Sequence, residues 1–262
     1  MSVWSERATA DGSWTLWHEA LGEACHSSAG AWTQARLRYA RACRLDEHRG
    51  PRLALLDVGT GLGLNLAAAL EAVAGRALEL EVATFELEPE PIERALALYA
   101  RPERAGGPWE PWHGPVRAAL RAALAAPGAR VELRAPDGTR HGLTLHLGDA
   151  RATLPRLARM PAWDAIFLDP FSPRRAPALW EETFLAELAA RLAPGGWLST
   201  YSASFRVRLA LARAGLAVGR GPRVGAKGEG TLASRERAVP PLAPRVERRL
   251  VRRAGLSGRS GP

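Results

Sequence analysis

Short apolar runs alternate with segments of helical period from about Arg52 onward. Apolar runs bounded by turn residues are typical of buried strands, and segments rich in Ala, Leu and Arg with a helical period predict helices. The predicted strands are Leu53–Val58, Leu80–Glu86, Leu143–Leu147, Trp163–Asp169, Gly196–Tyr201, Leu216–Gly219 and Gly230–Ser234. The predicted helices are Leu64–Val73, Pro89–Tyr99, Ala152–Arg159, Ala178–Leu192 and Ser204–Ala214. This alternation predicts the α/β class, with a doubly wound sheet of seven strands covered by helices.

Three regions depart from this pattern and leave residues 51–234 as the predicted core domain. They are a front extension (1–50), an insertion (102–142) and a tail (235–262). The extension has one predicted helix around Ala31–Cys43 and is expected to pack on the core. In the insertion, Pro136-Asp137-Gly138 is typical of a hairpin turn, because Asp-Gly tolerates positive φ. The stretch 101–115 and the tail have no clear period, so the sequence predicts irregular structure there and a flexible tail.

The composition indicates a globular chain without a membrane span. It has 262 residues, of which 47% are hydrophobic, enough for a substantial core. No apolar run approaches the roughly 20 residues of a membrane span, and the N-terminus lacks the order of a signal peptide. We therefore expect a soluble cytoplasmic protein. Cys25 and Cys43 have neither the spacing of a disulfide framework nor that of a metal site, so we expect free thiols and no metal.

Positive charge is concentrated in the tail. The formal net charge is +9, and residues 235–262 contain eight arginines and two glutamates, which supply six of these charges. Such a tail suits a phosphate-rich partner. However, Lys227 is the only lysine among 36 basic residues, and alanine is abundant. The arginines therefore have two interpretations, contact with nucleic acid or a bias in amino-acid usage, and the sequence does not decide between them.

A glycine-rich turn follows the first predicted core strand. Glycines at such a turn let the backbone approach a ligand, and the following helix offers unpaired N–H groups. A dinucleotide fingerprint would need a glycine at Leu64. The observed spacing instead fits the E/D-x-G-x-G-x-G turn of S-adenosylmethionine methyltransferases. The candidate cofactor-binding residues of this turn are Asp57, Gly59, Thr60, Gly61, Gly63 and Asn65.

Acidic residues follow two further strands. Glu86 ends the second core strand, where an acid accepts hydrogen bonds from ribose hydroxyls. Its neighbour Glu88 is a competitor, and both could instead be solvated acids that start a helix. Asp149, followed by Ala150, opens the helix after the third strand. It could cap that helix, bind the adenine amino group of a cofactor, or do both.

These features in this order resemble the class I S-adenosylmethionine-dependent methyltransferases. A closer resemblance, over roughly residues 8–234, is to the methyltransferase half of the MnmC family. The segments that carry it are Asp11–Leu16, Gly22–Ala31, the glycine turn with Asn65, Phe85–Glu86 and Leu168–Trp180 (LDPFSPRRAPALW). The chain departs from the usual family pattern at Cys25, Gln34, Pro170 and Ala176, which affects the expected substrate pocket more than the cofactor site.

The resemblance implies a Rossmann-like, seven-stranded, mostly parallel sheet whose last strand is antiparallel. It also implies S-adenosylmethionine as cofactor and methylation of the 5-aminomethyl group of the wobble uridine, often 2-thiolated, in the anticodon stem-loop of tRNA. Bifunctional members carry an FAD-dependent oxidase domain, which nothing after Ser234 could house, so a stand-alone member is expected. Two alternatives are methylation of a small-molecule or protein amine, and a non-catalytic nucleotide-binding module. The oligomeric state is not predicted, and a monomer is one of the possibilities.

Asp169 is the candidate catalytic residue, together with Pro170 and Phe171. The acceptor amine must be neutral to attack the methyl group, so a nearby proton acceptor is useful. Asp169 ends the fourth core strand at the edge where open α/β sheets bind ligands. Pro170 has no N–H, which leaves its carbonyl as a second expected acceptor. Alternatively, Asp169 caps the next turn and Ser172 only shapes the loop, while Trp180 is expected to pack in the core.

Five further residues are candidates for substrate binding. Arg174 and Arg175 could meet anticodon phosphates or be a solvated surface. His26 and Ser27 belong to the front segment of the family resemblance, although a lone histidine is often structural. Lys227 resembles a recurring family lysine before the last strand and could face RNA.

Overall fold

The computed structural model describes residues 3–104, 106–157, 162–225 and 228–255. Within these ranges the strands are β1 (Trp4–Ala8), β2 (Trp14–His18), β3 (Glu23–Ala24), β4 (Arg52–Val58), β5 (Glu79–Glu86), β6 (Arg130–Arg134), β7 (Arg140–Leu147), β8 (Trp163–Leu168), β9 (Leu192–Thr200), β10 (Ala217–Arg223) and β11 (Glu229–Ser234). The α-helices are α1 (Ala31–Gln34), α2 (Leu64–Ala72), α3 (Glu90–Tyr99), α4 (Glu110–Ala125), α5 (Ala150–Thr153), α6 (Glu182–Arg191), α7 (Phe205–Arg213) and α8 (Pro244–Ala254). In this part of the chain no helix is both long and apolar enough to cross a membrane.

The central sheet has the order β10-β11-β9-β8-β4-β5-β7-β6. Strands β7, β5, β4, β8 and β9 pair in parallel, while β11 is antiparallel to both of its neighbours. The predicted α/β, mostly parallel sheet is therefore confirmed. It has eight strands rather than the predicted seven, because β6 pairs antiparallel with β7 and extends the sheet edge.

Both faces of the central strands are covered by apolar side chains. In β8, Phe167 faces the layer that contains α2 and α4, and Ile166 faces the layer that contains α6 and α7. All four residues Ala165–Leu168 are fully buried, as expected for a parallel strand with helices on both sides. The carboxyl ends of these parallel strands therefore form one edge, the carboxyl edge, at which the loops that follow the strands meet.

Several helices differ from their predicted bounds. The predicted helix Ala31–Cys43 is α1 followed by a π-helical segment at Ala35–Ala40. The predicted helix Ala178–Leu192 is a 3-10 turn at Pro177–Trp180 followed by α6, because Glu181 has extended backbone angles. The predicted helix Ala152–Arg159 is α5 and a 3-10 turn at Leu154–Arg156, and its last two residues lie outside the described ranges.

Two predictions of irregular structure were wrong. Residues 110–115 of the stretch 101–115 belong to α4, which packs against α2 and includes Pro115 in its interior. Residues 244–254 of the tail form α8, which packs against α7. Both helices bury one face only, Leu120 in α4 and Leu250 in α8 being examples.

The front extension forms a small sheet, β1-β2-β3, and the start of α1. Asp11, in the turn after β1, fixes this start: its Oδ2 accepts from the Thr33 N–H at 2.8 Å and its Oδ1 accepts from the Ser13 hydroxyl at 2.6 Å. Burial raises the pKa of Asp11, but these hydrogen bonds outweigh burial and hold it below its usual value. The residues that follow α1 are thereby placed over the central sheet.

Candidate active site

The glycine turn between β4 and α2 lies against the backbone that follows β8. Gly59, Gly61 and Gly63 have φ angles of +97°, +49° and +76°, in the left-handed region that favours glycine. A Cβ on Gly59 would lie 2.8 Å from the carbonyl oxygen of Asp169, whereas a Cβ on Gly61 would meet nothing within 4 Å. Gly59 therefore permits close packing of two loops, and Gly61 leaves open space above the turn.

Other predicted cofactor residues lie behind the turn. Asp57 is fully buried and its Oδ2 accepts from the Thr84 hydroxyl at 2.7 Å; burial raises its pKa. Thr60 is also buried and its hydroxyl lies 2.6 Å from that of Thr84. Asp57 and Thr60 therefore support the turn from behind. The glycine motif thus includes residues that support the turn as well as residues that line the cavity.

Helix α4 supports the same turn from the side. His113 is fully buried, and its Nε2 lies 2.7 Å from the carbonyl oxygen of Leu62. Burial lowers the pKa of His113 to about 3, so at neutral pH the ring is uncharged and donates its Nε2–H to this carbonyl. Arg117 lies 3.0 Å from Nδ1, which is the acceptor nitrogen in that tautomer. A Cβ on Gly63 would lie 2.8 Å from Leu120 of the same helix.

Two acidic side chains continue the site along the carboxyl edge. Glu86 accepts the Gly61 N–H on Oε2 and the Leu87 N–H on Oε1, both at 2.9 Å, and burial raises its pKa. Asp149 accepts the Arg151 N–H at 2.9 Å, as the cap of α5, and pairs with the Arg151 side chain at 2.6 Å. The capping interpretation of Asp149 is therefore observed, and the residue also lines the cavity described next.

A cavity of about 540 Å³ runs along this edge. Small-molecule sites commonly have volumes of roughly 300–1,000 Å³. Its lining includes Gly59, Gly61, Glu86, Glu88, Asp149, Ala150 and Asp169. The order of the strands places the loops after β7, β5, β4 and β8 side by side, so the acids and the glycine turn form one continuous wall. Carboxylate acceptors beside an open glycine turn fit a nucleoside cofactor such as S-adenosylmethionine.

The Asp169 carboxylate is held by three side chains from distant parts of the chain. Tyr39 donates its hydroxyl to Oδ1, and Asn65 donates its amide to Oδ2 at 2.9 Å. Gln34 Nε2 lies 3.5 Å from Oδ2, at the limit of a hydrogen bond. Burial and the adjacent Asp169 carboxylate raise the pKa of Tyr39 well above its usual value, so this phenol remains a donor. Asn65 was predicted to bind the cofactor, and in the structure its amide contacts Asp169.

The π-helical segment brings Gln34 and Tyr39 to the same carboxylate. In an α-helix, residues five apart point in directions about 140° apart. In the segment Ala35–Ala40 the hydrogen bonds span five residues, as in the bond of 2.8 Å from the Arg41 N–H to the Arg36 carbonyl. Such a wide turn places positions five apart near one face, and short π segments are frequent at functional sites.

The loop after Asp169 is fixed at each step. The Pro170 carbonyl, predicted as an available acceptor, already accepts the Tyr201 hydroxyl at 2.8 Å. Burial, with the nearby Asp169, raises the pKa of Tyr201, so it stays protonated. The Phe171 carbonyl accepts the indole N–H of Trp180 at 2.8 Å, and Trp180 is buried, as the core interpretation predicts. The expectation that the Pro170 carbonyl is free was therefore wrong. Only the second lone pair of its oxygen can accept a hydrogen bond from a substrate.

The front extension covers this loop. Glu23 of β3 accepts the Ser172 N–H at 3.0 Å and the Ser172 hydroxyl at 2.6 Å. The ring of Phe171 stacks on Trp4 of β1 with the ring centroids 6.0 Å apart. Trp4, Glu23 and Phe171 all line the cavity, so the small sheet contributes to its wall together with the glycine turn.

The four predicted substrate residues that the structure describes lie in three different environments, and two of them line the cavity. His26 and Arg175 line the cavity. Ser27 is buried, and its N–H donates to Gln34 at 3.0 Å, while Arg174 is exposed. Lys227 lies outside the described residues. Sequence reasoning missed Tyr39, Tyr201, Glu23 and Trp4. Glu23 lies in the family segment Gly22–Ala31 but was not singled out there, and the other three lie in no segment that carries the resemblance.

The cysteines are free, Cys25 being half-buried at the cavity and Cys43 buried. Burial raises the pKa of both thiols, so neither is a ready nucleophile. In the described ranges no group of three or more His, Cys, Asp or Glu side chains could hold a metal ion.

Comparison with known proteins gives consistent results. Residues 114–236 match a family described as S-adenosyl-L-methionine-dependent methyltransferase. Over 94% of its length the chain is 36% identical to the tRNA 5-methylaminomethyl-2-thiouridine biosynthesis bifunctional protein MnmC of Azoarcus sp., of which it covers 38%. It is 41% identical over 49% of its length to the MnmC protein of Pseudomonas aeruginosa, covering 18% of that protein. The chain thus spans less than two fifths of the length of each of these relatives.

The crystal structure of MnmC2 from Aquifex aeolicus has the same fold. It matches with a TM-score of 0.76 and 32% identity, over 96% of this chain and 76% of that one. The fold and the glycine turn define a class I methyltransferase whose methyl donor is S-adenosylmethionine. Within that class, the chain belongs to the family of the MnmC2 methyltransferases.

Proposed function

We propose that this enzyme methylates the 5-aminomethyl group of a wobble uridine, often 2-thiolated, in the anticodon stem-loop of tRNA, and that it acts in the cytoplasm. The tRNA acceptor is supported by the names of the relatives above. The single observation that carries the chemistry is the Asp169 carboxylate, held by Tyr39 and Asn65 in the wall of the same cavity as the glycine turn. This arrangement suits transfer to a nitrogen that must lose a proton.

The residues that would hold the cofactor follow from the cavity wall. Gly59 and Gly61 leave room for close approach, and Glu86 and Asp149 offer carboxylate oxygens for hydroxyl and amino groups. When bound, S-adenosylmethionine supplies an electrophilic methyl group. Asp57, Thr60 and Gly63 act indirectly, because they shape the turn from below.

Asp169 orients the acceptor amine and takes up its proton. An alkylamine is mostly protonated at neutral pH, and only the neutral amine has a lone pair for attack. Tyr39 and Asn65 donate to the carboxylate and so fix its direction, while the second lone pair of the Pro170 carbonyl offers another acceptor. Because both phenols that contact this segment remain protonated, Asp169 is the side chain suited to receive the proton.

The acceptor side of the cavity is partly apolar and partly basic. The stacked rings of Trp4 and Phe171 suit a base, and Arg175 brings positive charge to the cavity lining. His26 lies in the same wall, with Ser27 behind it. Arg174 and Lys227 remain candidates for contacts with the tRNA phosphates.

The test uses labelled S-adenosylmethionine and two tRNA preparations. One comes from cells that lack this last methylation and carries the aminomethyl group, and the other lacks the aminomethyl group. Label in the wobble nucleoside of the first preparation only is the expected result. Labelling of both preparations alike, or of a small-molecule or protein amine alone, would move the acceptor elsewhere. Binding of S-adenosylmethionine without transfer to any amine would contradict the catalytic proposal.

A further inference from the structure

Helix α8 carries a row of exposed arginines along one face. This basic stripe consists of Arg245, Arg248, Arg249 and Arg252. Their positions i, i+3, i+4 and i+7 place them on a common side of the helix. Glu247 is the acid of this helix, and at 100° per residue it projects about 150° away from the centre of the stripe. The stripe therefore presents four positive charges to solvent.

The opposite side of α8 is fixed to the domain. Leu250 is 5% exposed, and Val246 and Ala254 pack around it with Phe205 and Leu209 of α7. These residues occupy positions i, i+4 and i+8 of α8, the spacing of an apolar stripe. Because this apolar side is covered by α7, it is not available for insertion into a lipid surface.

The direction of α8 places the stripe near the carboxyl edge of the central sheet. The Arg249 guanidinium lies 4.0 Å from the centroid of the Phe205 ring, at the start of α7, and the Arg213 side chain, at the end of α7, donates to the Arg253 carbonyl at 3.3 Å. The two helices therefore run in the same direction. Phe205 follows Tyr201 by four residues, a stretch that spans at most about 14 Å, and the Tyr201 hydroxyl contacts the Pro170 carbonyl.

A second cavity, of about 240 Å³, lies where the stripe meets α7. It is lined by Ala203, Phe205, Arg208, Arg245, Val246 and Arg249. The charge of buried Arg208 is matched by Glu229 at 3.0 Å, whereas Arg245 and Arg249 are exposed. An anion in this groove would meet two solvent-facing guanidinium groups above an apolar floor.

We infer that the basic stripe of α8 binds the phosphate backbone of the tRNA while the target nucleotide occupies the main cavity. This inference rests on the proposed function. Arginine binds phosphate through paired charge-assisted hydrogen bonds, and neutralised phosphates release counterions, so such contacts strengthen binding in a salt-dependent way. The stripe supplies affinity and orientation, and it takes no part in methyl transfer.

The test compares two double variants of equal charge. Arg245→Gln/Arg249→Gln removes two charges from the stripe and leaves its apolar anchors intact. Arg134→Gln/Arg140→Gln removes two exposed charges from the hairpin β6–β7, on the last strands of the sheet and away from its carboxyl edge. Affinity for aminomethyl tRNA is measured between about 50 and 200 mM salt, together with the kinetics of methyl transfer.

The stripe variant should lose about 1.4 to 1.8 from the slope of log K against log salt, as expected for two phosphate contacts. Its KM for tRNA should rise while kcat stays unchanged, because uniform binding is lost. The hairpin variant should behave as the unmodified chain does. If the stripe variant and the hairpin variant have the same slope of log K against log salt, and both still methylate tRNA, the inference is overturned and the proposed function stands. Failure of the unmodified chain to bind tRNA, or stripe-dependent binding to phosphatidylserine vesicles instead, would overturn the inference by excluding RNA as the partner.

Discussion

Replacing Tyr39 by Phe would test how Asp169 is held. The change removes one hydroxyl and preserves the ring that packs against Phe167, whose centroid is 5.4 Å away. Asp169 would keep Asn65 at 2.9 Å and the long contact with Gln34 at 3.5 Å. The carboxylate would then have one firm donor among these three side chains, so it would be oriented less well.

The expected loss follows from the hydrogen bond that is removed. Hydrogen bonds to charged groups contribute about 1.5–3 kcal/mol. If this contribution is needed in the transition state, kcat falls by about 10- to 150-fold, since about 1.4 kcal/mol corresponds to a factor of ten. A carboxylate that loses a donor also holds a proton more tightly, so the acidic limb of kcat/KM should move to higher pH. Affinity for S-adenosylmethionine should change little.

Tyr99→Phe is the matched control. Tyr99 is as buried as Tyr39, but its hydroxyl contacts the Trp14 N–H at 3.2 Å, away from Asp169. Both variants should lose similar stability in urea denaturation, and only Tyr39→Phe should change the pH profile. If both variants slow methyl transfer equally, or if Tyr39→Phe keeps full activity at all pH values, Tyr39 does not position the Asp169 carboxylate for methyl transfer.

Three further predictions concern the residues around it. Asp169→Asn should abolish methyl transfer while calorimetric affinity for S-adenosylmethionine stays nearly unchanged, because the amide cannot take up the amine proton; lost cofactor binding would place Asp169 in the cofactor site instead. Gly59→Ala should cost more than about 1–2 kcal/mol of unfolding free energy, because its Cβ meets the Asp169 carbonyl at 2.8 Å. Gly61→Ala, with open space above it, should show the backbone cost alone, and equal losses in urea would contradict this packing. The folded-state pKa of His113, lowered to about 3 by burial, lies below its unfolded value, so its neutral form favours folding above pH 6.5 and this stability is lost as the pH falls from 6.5 towards 3. Between pH 7 and pH 5 the chain should lose about 2 kcal/mol through this group, a loss that His113→Gln should lack in urea denaturation; an identical pH dependence in both proteins would refute this.

The residues at strand ends could be predicted because parallel strands share one edge. Glu86, Asp149 and Asp169 each follow a predicted strand, and the sheet brings all three to one cavity. The glycine spacing similarly located the turn at Gly59 and Gly61. Local sequence sufficed here because position along the chain and position at the edge are linked by the strand itself.

The partners of these residues could not be predicted in the same way. Tyr39 meets Asp169 across 130 positions of the chain, and Tyr201 meets Pro170 across 31. No local pattern encodes either contact, because the first depends on how the front extension packs on the sheet and the second on the pairing of β9 with β8. Gln34 is a case in point, since it was noted only as a departure from the family.

The two missed helices were hidden by their composition. In α4, Pro111, Gly114 and Pro115 read as a loop, although a proline in the first turn is compatible with a helix. In α8, Val246, Leu250 and Ala254 form an apolar row, but seven of the other residues are charged or proline. In both helices the buried residues follow the helical period. The prolines, glycine and charged residues between them hid that period in the sequence.

The π-helical segment that follows α1 has a consequence for chain length. A π turn amounts to one residue more than an α-helix needs. If one residue were removed between Gln34 and Tyr39, the two would be four apart, and an ordinary α-helix would place them on one face. Gln34 and Tyr39 could therefore contact Asp169 with either of two lengths of this segment. A related enzyme with one residue fewer here could present the same amide and phenol to its own carboxylate.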